Sequence, residues 1–317
     1  MLKILYASDL HGSTLMFKKL INAALLYGAD AIIVGGDITG KGILPVRKTG
    51  DRYETIVYGT QYTAKNEKEV SELFEMISNF GFYPHVFEGE EKPRELERED
   101  IFEELFRSYV EKRFSEWAEF ATRKLETKNI KIYLMPGNDD FYYVDTILDR
   151  FPIFINHDQK ILKIGRSDDE YFLVGYSKTN ITPWKCPRDT EEDELRQELK
   201  ALLEKVEDYS RLILNTHCPP YNTTLDLAPL LDRDLKPVIS AGNVVFTHVG
   251  CVSVREVIES YQPLLGLHGH IHESRGVEKI GRTVIINAGS AYNEGILYAA
   301  YIVLNKGKVQ NIALVKG

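Results

Sequence analysis

The sequence predicts an α/β protein in which two facing mixed β-sheets are flanked by helices. One observation is the strand–helix–strand opening over residues 3–34, which is typical of a parallel strand pair with a right-handed crossover. Another is the β-rich tail over residues 276–315, where alternating runs are joined by hairpin-type turns. The first part of the chain alternates strands with helices, and the last part contains strands alone; this order indicates an αββα sandwich. We expect residues 1–317 to form a single domain.

The opening elements are short and well marked. Residues 3–8 have the composition of a buried strand, residues 14–28 space their apolar side chains as a helix does, and residues 31–34 are the next buried strand. Gly28 is the expected helix stop. Side chains that follow two parallel strands are expected to meet beyond their carboxyl ends.

Residues 41–128 interrupt this order, and we interpret them as a cap-like insertion and helical region within the domain. Residues 44–48 and 53–58 predict a β-hairpin, and residues 70–80 predict an amphipathic helix. Residues 101–127 predict a long helix whose aromatic stripe is typical of core packing. The first part of this region is therefore an inserted hairpin–helix segment.

The rest of the chain alternates strands and helices before the tail. Predicted strands are residues 131–135, 161–164, 171–174, 211–214 and 263–267, predicted helices are residues 189–207 and 252–261, and the tail strands are residues 276–280, 282–287, 297–304 and 308–315.

Composition excludes some classes of function. A net charge of -8 disfavours electrostatic binding to nucleic acid. No segment has membrane-spanning length. The three cysteines form no CxxC pair, which favours reduced thiols and a cytoplasmic protein, and Cys218 is expected to be a packed thiol. The sequence does not indicate an oligomeric state.

Five short segments place metal-binding side chains at the ends of apolar runs. They are Asp9-Leu10-His11, Gly35-Gly36-Asp37, Gly137-Asn138-Asp139-Asp140, Asn215-Thr216-His217 and Gly269-His270-Ile271-His272. These carboxylates, amide and imidazoles suit divalent Mn, Fe, Ni or Zn. One ion rarely needs so many ligands, so the set predicts two ions that share a carboxylate, an arrangement typical of phosphate-ester hydrolysis.

The local backbone is expected to bring these ligands together in a simple way. In an extended segment, Asp9 and His11 would share one face, as would His270 and His272. The two glycines before Asp37 would let the chain turn sharply and leave that carboxylate facing a cavity.

These motifs, in this order, resemble those of the calcineurin-like metallophosphoesterase superfamily: D-x-H, G-D, G-N-H-[DE], H and G-H-x-H. The resemblance extends from position 3 to about 304, and residues 41–128 diverge. The runs Thr216–Pro220, His248–Cys251 and Gly269–Glu273 are similar to those of the small phosphodiesterase-type branch, with its metallophosphoesterase-domain, archaeal and bacterial members. The resemblance implies a metallophosphoesterase-like sandwich.

The resemblance also implies roles for individual residues. One ion would be held by Asp9, His11, Asp37 and His272, and the second by Asp37, Asn138, His217 and His270. A hydroxide between the ions would be the nucleophile. Candidate catalytic residues are Asp37, Asn138 and Asp139, and candidate substrate-binding residues are Asn138, His248 and Ser290. Asn287, Gly289 and Ser290 match a turn that often closes the family's site, although an ordinary hairpin end is an equal alternative.

The chain departs from the family where Asp139 replaces the histidine that protonates the leaving group. Two nearby cations would lower the pKa of a carboxyl group, so Asp139 is a poor general acid. Asp139 is therefore interpreted either as a weakened acid or, preferably, as a residue that orients a metal-ligand histidine.

The leading hypothesis is a binuclear-metal phosphoesterase, more suited to diesters than to monoesters. Protein Ser/Thr phosphatases carry arginines beside the second and third motifs, and this chain has Ile38-Thr39 and Met135-Pro136 there. The alternative is a protein-interaction module of the same fold with weak or no catalysis; a structural metal protein is a third possibility. The expected partner is a small phosphate ester. It would be nucleotide-like if the aromatic residues of the insertion line the site as a wall for a flat group, and the alternative is that they pack the insertion onto the main sheet. These residues are Tyr58, Tyr62, Phe80, Phe82 and Tyr83.

Overall fold

A computed structural model of the protein describes residues 1–89, 93 and 96–317. The first of its two large sheets has six strands, in the spatial order Lys308–Lys316 (β22), Tyr298–Asn305 (β21), Leu2–Ala7 (β1), Ala31–Gly35 (β2), Lys131–Met135 (β7) and Phe154–Asn156 (β8). Strands β1, β2, β7 and β8 pair in parallel, so their carboxyl ends lie at one edge. The parallel β1–β2 pair that the opening residues predicted is confirmed.

The second large sheet also has six strands. In spatial order they are Gly276–Ile280 (β19), Thr283–Asn287 (β20), Leu265–His268 (β18), Leu212–Thr216 (β13), Asp169–Tyr176 (β10) and Ile161–Arg166 (β9). The four central strands are parallel, and an antiparallel strand closes each side.

Helices cover the outer face of each sheet. On the first sheet lie Thr14–Tyr27 (α1), Glu99–Leu125 (α3) and Tyr143–Leu148 (α4), and on the second lie Glu192–Leu203 (α5) and Val252–Tyr261 (α6). Between the sheets, side chains such as Ile4 and Ile33 pack against Leu173 and Ile213. The predicted αββα order of layers is therefore confirmed. None of the helices in the described residues is long and apolar enough to cross a membrane.

The region over residues 42–88 builds a small sheet of its own. Its elements are Gly42–Thr49 (β3), Arg52–Val57 (β4), Thr60–Ala64 (β5), Glu67–Asn79 (α2) and Phe82–Glu88 (β6). The predicted β3–β4 hairpin is present, and β5 and β6 extend it to four strands in the order β5-β4-β3-β6. Val46, Val57, Leu73 and Ile77 form its buried core. Our interpretation of residues 41–128 as an insertion within one domain stays a prediction.

The aromatic residues of the insertion mostly pack. Tyr83 is buried, and Tyr62, Phe80 and Phe82 lie against the core of the small sheet. Tyr58, at the turn between β4 and β5, is different: it is 64% exposed, with its ring 5.8 Å from that of Phe80. Four of the five aromatic residues proposed as a wall therefore pack within the protein instead.

Short strand pairs complete the fold. They are Thr179–Asn180 (β11) with Asp189–Thr190 (β12), Leu227–Pro229 (β14) with Phe246–His248 (β17), and Ile239–Ser240 (β15) with Asn243–Val244 (β16). All three cysteines are free thiols, and Cys218 is buried as expected.

Candidate metal centre

The predicted ligands lie where the two large sheets meet. Asp9, Asp37 and Asn138 follow β1, β2 and β7 of the first sheet. From the second sheet, His217 follows β13 directly, and the segment with His270 and His272 follows β18. Because parallel strands end at one edge, ligands far apart in sequence are brought into one group.

The backbone at these ligands is turned rather than extended. Asp9, His11, Asp37 and His270 have φ angles of 56°, 42°, 51° and 65°, a left-handed region that costs about 1–3 kcal/mol for each non-glycine residue. The expectation that Asp9 and His11 share the face of an extended segment is wrong, and so is the same expectation for His270 and His272. Strands β1 and β18 end before these residues, and turns aim the side chains inward. Such local strain is typical of functional sites.

The ligand atoms approach one another closely. His11 Nε2 lies 3.1 Å from His272 Nε2, and His272 Nε2 lies 3.4 Å from Asp9 Oδ1. Asp37 directs Oδ2 toward His11 Nε2 at 3.7 Å and Oδ1 toward His217 Nε2 at 3.4 Å. Ligand atoms of Asp9, His11 and His272 lie within 4.8 Å of one another, as do those of Asp9, Asp37 and His217. Asp37 thus faces both groups, as a bridging carboxylate would.

Several buried polar atoms of the site have no hydrogen-bond partner. They include Asn138 Oδ1, His217 Nε2 and His11 Nδ1. His217 Nδ1 lies 2.8 Å from Gly35 O, an acceptor only, so Nδ1 carries a hydrogen and Nε2 is the nitrogen that faces the Asp37 carboxylate. A buried acceptor such as Asn138 Oδ1 is costly without a donor unless a cation meets it, and His217 Nε2 can bind an ion once its proton leaves, so these residues fit divalent metal ions.

The buried carboxylates of the site need positive charge beside them. Burial would lower the pKa of His217, but the Asp37 and Asp9 carboxylates raise it to about 10. Burial would likewise lower the pKa of His272, and the adjacent Asp9 raises it instead. Protons on these imidazoles balance the buried carboxylates, and a bound metal ion would replace those protons.

His270 is held beside the second group. Its ring centroid lies 5.3 Å from that of His217, and burial, followed by the charge of His217, lowers its pKa to about 4. Its backbone N–H donates to both carboxylate oxygens of Asp9 at 3.1 Å. The neutral imidazole that results is the form that binds metal.

Glycines allow the ligand segments to come this close. A Cβ on Gly36, whose φ is +118°, would fall inside van der Waals distance of the His217 ring. A Cβ on Gly137 would overlap Asp37 Oδ1. The glycines before Asp37 and Asn138 are therefore needed for close approach as well as for turning.

Two further carboxylates, those of Asp140 and Asp189, accept hydrogen bonds from the ligand segments. Asp140 accepts hydrogen bonds from the backbone N–H groups of Ile38, Thr39 and Gly137 at 2.7–3.0 Å and so ties the second and third motifs together. Burial, and then the charge of Asp37, raises the pKa of Asp140 to about 6. Asp189 Oδ1 accepts from Asn138 Nδ2 at 3.2 Å. No role was predicted for either residue; Asp140 lies within the third ligand segment, whereas Asp189 lies in no motif.

Asp139 contacts Lys41 and Cys186, two residues that the sequence did not indicate as its partners. Its Oδ2 contacts Lys41 Nζ, and its Oδ1 accepts from Cys186 Sγ at 2.9 Å. His11 Nδ1 is 3.9 Å from Asp139 Oδ2, beyond hydrogen-bond distance. Asp139 thus lies beside a ligand histidine without bonding to it, and both roles suggested for it stay predictions.

The candidate substrate-binding residues are placed differently from one another. Ser290 Oγ donates to Asp9 O at 2.8 Å and thereby supports the first ligand segment. Asn287 Nδ2 donates to Ile271 O at 2.9 Å within the last segment, so this turn does lie against the site. His248 Nδ1 lies 2.8 Å from Asp226 Oδ1, in a separate polar cluster on β17. Substrate contact by Ser290 and His248 stays a prediction.

Comparisons with known proteins find a curated relative of this sequence. No family model matches the chain. An uncharacterized protein, MJ1162 of Methanocaldococcus jannaschii, is 32% identical over 160 residues, which are 50% of this chain and 63% of that protein. The chain thus matches less than two thirds of the length of this curated relative.

Solved structures match over almost the whole chain. One covers 98% of both chains at 16% identity with a TM-score of 0.57. TT1561 of Thermus thermophilus covers 98% of both chains at 13% identity with a TM-score of 0.51. At 13–16% identity, these two structures show that the chain shares their fold. Membership of the calcineurin-like metallophosphoesterase superfamily stays an expectation from the motifs.

Proposed function

We propose that this protein is a metal-dependent phosphoesterase that acts on phosphodiesters. One observation carries the proposal: ligands from five separate segments and both large sheets converge in one buried group, in which Asn138 Oδ1 and His217 Nε2 have no hydrogen-bond partner. A structural metal site is normally closed and rich in thiolates, which this group is not.

The chain's own residues would prepare the site in distinct ways. Two divalent ions, when bound, would supply Lewis acidity and lower the pKa of a water molecule. Asp9, His11, Asp37 and His272 would hold one ion, and Asp37, Asn138, His217 and His270 the other. Gly35 O fixes the tautomer of His217, and Asp189 orients the Asn138 amide, so both ligands are set before an ion arrives.

The charges beside the ligand loops favour a diester over a monoester. Lys41 is already paired with Asp139. The buried Arg113 donates to Gly12 O and Ser78 Oγ, and the buried Arg188 donates to Asp140 O and to Asp145. Of these three cations, only the Lys41 ammonium keeps N–H donors for a phosphate, and its charge is shared with Asp139; this suits the single negative charge of a diester better than a monoester dianion.

The ion pair at Asp139 also motivates the alternative, an interaction module with weak or no catalysis. A carboxylate tied to Lys41 and Cys186 replaces the histidine that the family places there. We propose a small phosphate ester as substrate in a cytoplasmic protein, and the exposed ring of Tyr58 keeps a nucleotide-like group among the candidates.

The proposal predicts metal-dependent diester cleavage that requires Asp37. Metal-stripped protein refilled with Mn is assayed on bis-p-nitrophenyl phosphate and p-nitrophenyl phosphate. Asp37→Asn removes the shared carboxylate charge and should lower diester turnover by about 100-fold or more, because even residues that only support ligands account for 10–100-fold. Asp149→Asn, the same change at an exposed position, should leave the rate unchanged. If two ions bind and neither ester is cleaved, the interaction module becomes the better account.

A further inference from the structure

Lys41 lies at the junction between the inserted sheet and the metal ligands. Its backbone N–H donates to Gly81 O at 2.9 Å, and the N–H of Gly40 donates to Tyr83 Oη at 2.8 Å. Its side chain is 34% exposed, and Nζ contacts Asp139 Oδ2. The main chain and the carboxylate together hold the ammonium group at a defined place at the mouth of the site.

The charge of Lys41 reaches the metal ligands. Lys41 Nζ contacts Asp139 Oδ2, and the same oxygen lies 3.9 Å from His11 Nδ1. The pKa of Lys41 itself would be lowered by burial, but Asp139 and then Asp37 raise it above its ordinary value. Lys41 is therefore a cation throughout the neutral pH range, and it lies beside an Asp139 oxygen that is close to His11.

The donors of Lys41 are only partly used. An ammonium group has three N–H donors, and the Asp139 carboxylate takes one of them. The arginines next to the ligand loops, Arg113 and Arg188, are buried and donate to protein oxygens. Among these three cations, Lys41 is the one that is part-exposed and contacts a carboxylate next to His11.

We propose that Lys41 is the phosphate-binding cation of this site and that Asp139 serves to hold it there. This inference rests on the proposed phosphoesterase function. A charge-assisted hydrogen bond from Nζ to a non-bridging phosphate oxygen would bind the substrate and would strengthen as negative charge develops in the transition state. Asp139, at the position of the family's histidine, then acts as a positioning residue for Lys41.

The test separates binding by Lys41 from simple neutralisation of Asp139. Binding of inorganic phosphate to Mn-loaded protein is measured by calorimetry, with metal content checked for each variant, and kcat and KM are measured on bis-p-nitrophenyl phosphate. Lys41→Gln should weaken phosphate binding by about tenfold or more, whereas Lys41→Arg keeps the charge and should stay within about threefold of wild type. Lys128→Gln, an equal charge change at an exposed position just beyond the end of α3, should have no effect.

The double variant Lys41→Gln/Asp139→Asn removes both charges at once. If Lys41 binds phosphate, the double variant stays weak; if Lys41 only neutralises Asp139, phosphate affinity returns to the wild-type value and the inference is overturned. Equal phosphate binding by wild type and Lys41→Gln, or no phosphate binding by the Mn-loaded wild type, would also overturn it. Loss of phosphate binding in Lys41→Gln without ester turnover by the wild type would refute the proposed function and leave the anion site standing.

Discussion

At the scale of single residues, the amide of Asn138 shows how the site orients a neutral ligand. Its Nδ2 donates to Asp189 Oδ1, which leaves the buried Oδ1 of Asn138 free of partners and available to a metal ion. The other Asp189 oxygen accepts from the backbone N–H groups of Thr182 and Cys186 at 2.8 and 3.0 Å. Asp189 therefore fixes both the ligand and the loop that flanks it.

We predict that Asp189→Ala weakens metal binding. Without the acceptor, the Asn138 amide can rotate, and the loss of such an orienting partner typically costs about 10–100-fold in metal affinity. Mn titration of the metal-stripped protein measures this. Thr182→Val is the matched control, because it removes a hydroxyl bond to Asp189 and keeps the Asn138 contact. Equal weakening in both variants would mean that loop order, not the Asn138 contact, controls affinity.

The residue types of the ligands could be predicted from the sequence because each motif is local. Asp189 could not, since its bond to Asn138 joins positions 51 residues apart. The sequence pattern places Asp189 at the start of a helix over 189–207, but the residue lies in β12, and α5 begins at Glu192. A run of acidic side chains indicates the first turn of a helix without showing where that turn begins.

At the scale of elements, Gly81 is one of the points at which the inserted sheet meets the site. Gly81 joins α2 to β6 with a φ of +82°, and its carbonyl accepts from Lys41 N. A Cβ at this position would overlap His11 O. The insertion is therefore packed directly against the backbone of a candidate metal ligand.

Gly81→Ala is expected to lower metal affinity as well as stability. Alanine in the left-handed region costs about 1–2 kcal/mol, and the added Cβ would also displace the His11 backbone. Gly50→Ala is the matched control: its φ is +60°, it lies in the same insertion, and a Cβ there meets no atom within 4 Å. Thermal unfolding should show a loss in both variants, and Mn titration a loss in Gly81→Ala only. Unchanged Mn affinity in Gly81→Ala would show that the insertion does not position His11.

Periodicity predicted the elements with strong local patterns. Helix α6 was predicted with the bounds that it has, and Gly28 ends α1 in a left-handed C-cap. Strands β5 and β6 were missed for different reasons: Thr60–Ala64 is a polar edge strand, and Phe82–Glu88 contains a proline, which argues against a strand. Moreover, β6 pairs in parallel with β3. Parallel strands are joined by a long crossover and not by a hairpin turn, so the sequence contains no turn signal that would predict this pair.

At the scale of the whole molecule, the candidate metal centre joins the two layers of the sandwich. Asp9 and Asp37 come from the first sheet, and His217 and His272 from the second, so a bound ion would cross-link the sheets at their shared edge. Without an ion, the same edge brings buried carboxylates and imidazoles together, and protonated His217 balances them. The αββα order was predictable from the sequence of elements, but this contact across the layers depends on how the sheets face each other.

Metal removal should therefore destabilise the entire domain, not only the site. An ion present at a hundred times its Kd adds about 2.7 kcal/mol to the free energy of unfolding, enough to raise Tm by several degrees. Thermal unfolding of metal-stripped protein, followed while Mn is added back, measures the effect. Asp37→Asn should show a much smaller rise, since it lacks the carboxylate that faces both groups, and Ca should act weakly because it prefers oxygen ligands over imidazole. A wild-type Tm that does not change while two Mn ions bind would mean that the unfolded chain binds Mn as tightly as the folded protein does, so that binding does not depend on the two sheets being brought together.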